Sequence, residues 1–247
     1  MIKKILRIFI IIGFTTVCFA EETIKIATEK WEPYTSESLK HNGIAARIVT
    51  DAFALEGVRV IYGFFPWLRG FRMTKTGEWD GTFPYYFKNE RTEHFLYSDP
   101  LFDGVVVFFH LKNRSFDWKT YDDLKGIDIG ATIGYTYGKE FDNAEKTKKI
   151  FVERVPLDEQ NFRKLLKRRI QLFPLDVEVG YYTIKKMFSD KTQSFTHHPR
   201  PVNSFPLYLI LSKKIKRNKR MLKLFNQGLK RLKANGKYDQ YFEKFRR

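Results

Sequence analysis

The sequence predicts an α/β fold in two lobes, with the second lobe inserted into the first. Three observations carry this. Short apolar strands alternate with amphipathic helices along most of the chain, the alternation restarts after a polar stretch at residues 112–123, and no internal repeat or Pro/Gly/Ser-rich linker parts the halves. Without a flexible linker the connections must be strand-like, and residues 105–111 and 207–211 are the candidates. Lobe 1 then comprises residues 21–112 and 201–247, lobe 2 comprises residues 113–200, and a two-stranded hinge lets them close on a ligand.

Taken in order, residues 23–27 alternate as a strand, and residues 43–55 put Ile44, Ile48, Ala52 and Leu55 on one helical side. Residues 58–64 read as a second strand, 66–76 as a helix and 80–83 as a short strand, while 104–111 are apolar enough to be buried on both faces. After the polar stretch, strands at 127–131, 150–155 and 171–174 alternate with helices at 135–143, 159–167 and 177–188. A further apolar strand at 205–211 precedes helices at 216–233 and 238–245.

The first 20 residues stand apart. Lys3, Lys4 and Arg7 precede 12 apolar residues from Ile8 to Phe19, and Cys18-Phe19-Ala20 suits an export peptidase, so a cleaved signal peptide at 1–20 and a periplasmic location are expected. Twelve apolar residues fall short of the roughly 20 a spanning helix needs. Val17 is bulky for a lipoprotein site at Cys18. Cys18 is the one cysteine, so the exported chain has no thiol and no disulfide.

The 247 residues carry 45 Lys+Arg against 28 Asp+Glu, and 43% are hydrophobic, which supports a sizeable core and excludes a disordered chain. The net charge of +17 is unevenly placed: residues 213–247 hold 14 Lys and Arg against only Asp239 and Glu243. No base-stacking platform or reading module accompanies this charge, so a nucleic-acid partner is not expected. A solvated helix face, or attraction to anionic lipid or a membrane partner, fits better. The histidines show no metal-ligand spacing and no nucleophile–histidine arrangement is legible, so neither a metal nor another cofactor is implied.

Glu90-Arg91, Tyr97-Ser98-Asp99-Pro100, Leu124-Lys125-Gly126, Ile129-Gly130, Gly134-Tyr135-Thr136 and Arg169-Ile170 with Asp176 occur in an order and spacing that resemble the bacterial extracellular solute-binding proteins of family 3. The resemblance spans nearly all of the chain beyond the leader. It implies the periplasmic binding protein-like fold and capture of a small ligand, an amino acid or related carboxylate, by a monomer that delivers it to a membrane permease of an ABC transporter or to a receptor. It also implies the site. Arg91, eight residues before Asp99, matches the arginine that grips a ligand carboxylate through its planar fork. Asp176, seven residues after Arg169, matches the acid that accepts an ammonium, though it can equally cap the following helix. Gly134, Tyr135 and Thr136 match a Gly-Thr-Thr turn whose amides and hydroxyls meet the carboxylate, with Tyr135 replacing a threonine. Trp31 and Trp67 match aromatic walls.

The departure lies at Thr82-Phe83-Pro84-Tyr85-Tyr86, where the family carries hydroxyls and amides for the ligand amine. Pro84 has no amide hydrogen and Phe83 offers only its backbone, so a larger, more aromatic or less amine-dependent ligand is compatible with this stretch. Residues 65–69 resemble a subset of the family without an evident dedicated transporter. The same fold resembles periplasmic dehydratases of the cyclohexadienyl type, for which Glu178 beside Asp176 is the first proton-transfer candidate; the binding role without catalysis is the main reading.

Overall fold

A computed structural model describes residues 21–246, and the expected leader lies outside them. Nine strands and seven helices follow one another as β1 (Glu22–Thr28), α1 (Ile44–Ala54), β2 (Val58–Phe64), α2 (Trp67–Thr76), β3 (Gly81–Tyr86), β4 (Phe95–Tyr97), β5 (Phe102–Leu111), β6 (Asp128–Thr132), α3 (Lys139–Lys146), β7 (Phe151–Val155), α4 (Asp158–Leu166), β8 (Phe173–Asp176), α5 (Val177–Met187), β9 (Phe195–Ser212), α6 (Asn218–Ala234) and α7 (Lys237–Arg246) among the described residues.

The main sheet runs β2-β1-β3-β9-β5-β8, with β4 also on β9, and β6-β7 form a separate parallel pair. β1 pairs in parallel with β2 from Glu22–Val58 to Thr28–Phe64, so the first strand-helix-strand unit is as the periodicity predicts. β5 divides two cores by simple alternation: Val106 and Phe108 join Trp118, Ile129 and Phe141 around the small sheet, while Val107 and Phe109 join the larger core. That is why this strand reads as apolar on both faces.

β9 extends over 18 residues, far beyond the predicted 205–211. Its first half pairs with β5, from Leu111–Phe195 to Phe102–Leu207, and its second half reaches β3 and β4. The register with β5 shifts between Val106 and Phe109, next to Pro199 and Pro201, which have no amide hydrogen for a regular ladder. β4, three residues long, was not predicted. α3 begins at Lys139 rather than at residue 135, because Gly138 at φ +112° breaks the helical path before it.

α6 closes the larger core by lying on α1. Gly228 makes this approach possible, since a Cβ there would stand 1.9 Å from the Ala52 carbonyl oxygen. Asp80, nearly buried, is held by Arg217 through bonds of 2.9 and 2.8 Å and by the Lys25 amide at 2.9 Å. The start of α6 is thereby tied to β1 and β3.

Candidate functional site

The loop leaving β1 carries Trp31, one of the candidate residues. Thr28 Oγ1 donates to the Phe83 carbonyl at 3.0 Å, which ties β1 to β3. Trp31 and Thr35 then exchange backbone bonds of 2.8 and 3.0 Å, and Thr35 Oγ1 donates to the Glu29 carbonyl at 2.6 Å. A short fixed hairpin therefore carries Glu29, Trp31, Glu32 and Tyr34 at the carboxyl end of a parallel strand, where open α/β sheets present their ligand sites.

One group of predicted residues gathers on β3. Trp67 stacks on Tyr85 at 4.2 Å, and the Arg91 guanidinium lies 5.0 Å from the Tyr85 ring, 5.1 Å from Tyr86 and 5.5 Å from Phe71. Arg91 Nη1 donates to the Tyr86 carbonyl at 3.0 Å. Glu90 instead faces Lys88, and Glu93 faces His94, so neither neighbouring acid takes the arginine. The fork is oriented by rings and one carbonyl, with donors left over. Thr82 is buried beside Tyr85, and the Phe83 ring is core, 5.9 Å from Tyr62, so Phe83 presents no side chain to a ligand. Burial pushes the Tyr85 phenol well above its ordinary value, with the Thr82 side chain and Arg91 opposing the rise and Glu29 adding to it.

A second group surrounds Asp176. Its carboxylate caps α5, with Oδ1 accepting from the amides of Glu178 at 3.1 Å and Val179 at 3.2 Å. Oδ1 also accepts the Tyr34 hydroxyl at 2.8 Å, and Oδ2 accepts the Val105 amide at 3.2 Å. Burial raises its pKa to about 6; Tyr34 and the Val179 amide oppose this, the nearby Glu178 charge adds to the rise, and the Glu178 amide opposes it. Of the two functions foreseen for Asp176, the structure shows the helix cap. Tyr34 in turn stacks on Phe102 at 4.7 Å and meets Trp31 at 4.6 Å. Beside it Glu32 accepts from Lys186 of α5 at 2.7 Å. Burial alone would raise the Glu32 carboxyl, but Lys186, Lys30 and Ser36 outweigh it and hold the pKa below the ordinary value.

The third group is the turn after β6. Gly134 takes φ +82°, and the Tyr135 and Thr132 carbonyls both accept from Arg154, at 3.0 and 2.8 Å. This turn does not stand at a helix N-terminus as predicted, since α3 starts later; Asp142 of that helix reaches back to take the Thr136 hydroxyl and, at 3.3 Å, the Tyr137 amide. Part of the predicted anion-binding capacity is thus used internally. Tyr135 is 41% exposed, and its phenol is pushed up by desolvation first and by the Asp158, Tyr137 and Glu29 side chains after it.

The Glu29 charge adds to the rise at both Tyr85 of the first group and Tyr135 of the third. Neither Glu29 nor Tyr34 was singled out from sequence. Their signal was position, directly after β1 and within a few residues of Trp31. No cluster of metal-ligating side chains exists among the described residues.

The fold is similar to that of several ligand- and substrate-binding modules of known structure. A substrate-binding domain of GlnP from Lactococcus lactis, in its open conformation, superposes with a TM-score of 0.72 at 21% identity, over 91% of this chain and 95% of that one. An ancestral cationic amino acid solute-binding protein gives 0.71 at 20% identity, over 90% and 95%. The GluR0 ligand-binding core from Nostoc punctiforme, in complex with L-glutamate, gives 0.65 at 18%, over 90% and 98%. At these identities the likeness is one of fold. No curated protein sequence matches the chain. The pattern of the bacterial extracellular solute-binding proteins, family 3, matches residues 24–247, nearly everything beyond the expected leader, and the chain belongs to that family.

Proposed function

We propose that this solute-binding protein captures a small carboxylate-bearing, amino-acid-like solute between two lobes, residues 21–112 with 201–247 and residues 113–200, hinged on β5 and β9. The observation that carries the reading is Arg91: a guanidinium oriented by Tyr86, Tyr85 and Phe71, with no acidic partner among the described residues. Such a fork gains most from a ligand carboxylate, because its orientation is set before the ligand arrives. Thr136 and the backbone of the Gly134-Tyr135 turn approach the same ligand from the second lobe. Trp67, backed by Tyr85, and Trp31, backed by Tyr34, form the walls, with Thr82 and the Phe83 backbone beneath. Asp176 faces the ligand's ammonium where there is one.

The protein works in the periplasm as a monomer after loss of its leader, and it hands the solute to an ABC permease or a sensor. No helix among the described residues is long and apolar enough to cross a membrane. The reading contains no catalytic step, and Glu178, the first proton-transfer candidate of the dehydratase alternative, is buried in the first turn of α5. A thermal-shift screen of the purified protein against amino acids, aromatic acids and small dicarboxylates tests it, because binding to the folded state raises the melting temperature. Any stabilising compound is then incubated with the protein, and appearance of a dehydrated product would replace the binding reading with the enzymatic one. N-terminal sequencing of periplasmic material checks the start near Glu21.

A further inference from the structure

The basic residues near the C-terminus divide into those that bond the fold and those that do not. On α6 and its entry the arginines serve the fold: Arg217 holds Asp80, Arg220 pairs with Glu22, and Arg231 pairs with Glu56 and donates to the Leu55 carbonyl. Lys213 and Lys233 likewise donate to the Thr92 and Pro100 carbonyls, but four other lysines do not. The ammonium groups of Lys216, Lys219, Lys223 and Lys230 are exposed and pair with nothing among the described residues.

Their placement is regular. At 3.6 residues per turn, Lys219, Lys223, Gln227 and Lys230 fall within about 80° of arc, along roughly 16 Å of helix. Met221, Phe225, Gly228 and Leu232, which are buried against the core, lie on the opposite side. No acidic residue interrupts the stripe. At its N-terminal end Lys216 and Lys219 join Lys213 around a hollow of about 590 Å³ with Leu96 and Ile215 in its lining.

We infer that this face of α6 is a docking surface for anionic phospholipid headgroups. A solvated helix face needs only net charge, and it does not explain why the three arginines of this segment are all paired with acids while these four lysines are left without partners. Lysine ammonium groups are compact point charges without the planar fork that reads one carboxylate or base edge, so the stripe suits a plane of phosphates over a shaped partner. It carries no aromatic ring on which a base could stack, which disfavours single-stranded nucleic acid. It would hold an exported binding protein near the membrane where a permease or sensor resides.

The test is co-sedimentation of the purified exported protein with phosphatidylcholine vesicles, with and without phosphatidylglycerol. Binding is expected only with phosphatidylglycerol, and it should fall steeply as salt rises. Replacing Lys216, Lys219, Lys223 and Lys230 with Gln, which keeps helix propensity, should weaken vesicle binding by more than about tenfold. A matched quadruple in lobe 2, Lys139, Lys146, Lys167 and Lys191 to Gln, removes the same net charge and should change it by less than about threefold. Melting temperature and solute binding should be unaltered in both. Lys223→Glu alone, a single surface change, should weaken vesicle binding in the same direction. Absence of binding to phosphatidylglycerol at low salt, or equal losses in the two quadruples, would overturn the inference. So would binding that appears only in vesicles carrying a reconstituted permease, since the partner would then be a protein.

Discussion

Tyr34 donates its phenol hydroxyl to the buried carboxylate of Asp176 at 2.8 Å, across 142 residues of sequence, and so joins the loop after β1 to the start of α5. The carboxylate has backbone and phenol donors but no cationic partner among the described residues. Its pKa of about 6 against an ordinary 3.8 expresses that lack, with burial as the main cause.

The sign of the resulting pH dependence follows. The folded state holds this proton more tightly than the unfolded state between about pH 4 and 6, so the group's contribution to stability falls as pH rises through that window. The penalty is absent below it, full above it, and on the order of 3 kcal/mol. Asp176→Asn keeps a capping acceptor and should flatten the melting temperature against pH between these limits. A ligand bearing an ammonium would supply the missing cation, so its affinity should rise about tenfold per pH unit up to about pH 6, whereas a simple carboxylate should show no such rise. Calorimetry at several pH values separates the two ligand classes.

Arg91→Ala should lower affinity for any carboxylate ligand by about 30-fold to several thousand-fold, the equivalent of roughly 2 to 5 kcal/mol. Arg91→Lys should recover little, because an ammonium cannot reproduce the planar fork or its packing against Tyr85 and Tyr86. Calorimetry with circular dichroism as a folding control measures both. Wild-type affinity in Arg91→Ala would return the residue to a structural role on the aromatic cluster.

Tryptophan fluorescence should divide the two walls. Trp67 rests on Tyr85 beside Arg91, and Trp31 rests on Tyr34 beside Asp176. Trp67→Phe should remove the response to a carboxylate group, and Trp31→Phe the response that depends on an ammonium. A ligand-induced signal that survives in the double variant would show that neither wall meets the ligand.

Gly228→Ala should destabilise the protein by about 3 kcal/mol or more, lowering the melting temperature by about 6–12 °C, because a Cβ would strike the Ala52 backbone. Ala elsewhere on α6 is a good helix former, so an unchanged melting curve would mean that the helices separate without cost.

Much of the architecture was legible because periodicity reports burial. Residues 58–64 are β2 as read, and 43–55 enclose α1. The failures have local causes. Pro199 and Pro201 argue against a central strand, yet β9 accommodates them with shifted register and therefore runs much longer than read. Tyr135, Thr136 and Tyr137 mimic helical spacing, and only the backbone of Gly138 reveals that α3 starts later. In the site, Arg91 and Trp67 came together around Tyr85. Asp176 carries a partner, Tyr34, that no local pattern announces, because the pair is made by the tertiary path of the chain.

β9 is the middle of the main sheet, flanked by β3 on one side and β5 on the other. The half built from β2, β1 and β3 and the half built from β5 and β8 have no other strand between them, and β9 is the last strand to be synthesised. α6, which covers α1, is made later still. Neither half can complete its hydrogen bonding or its core until about four-fifths of the polypeptide is available, and the contacts then formed are distant in sequence, which slows folding. Until β9 arrives, β3 and β5 each keep an edge without the strand that pairs with it, so the last strand made is the one that joins the two halves into a single sheet.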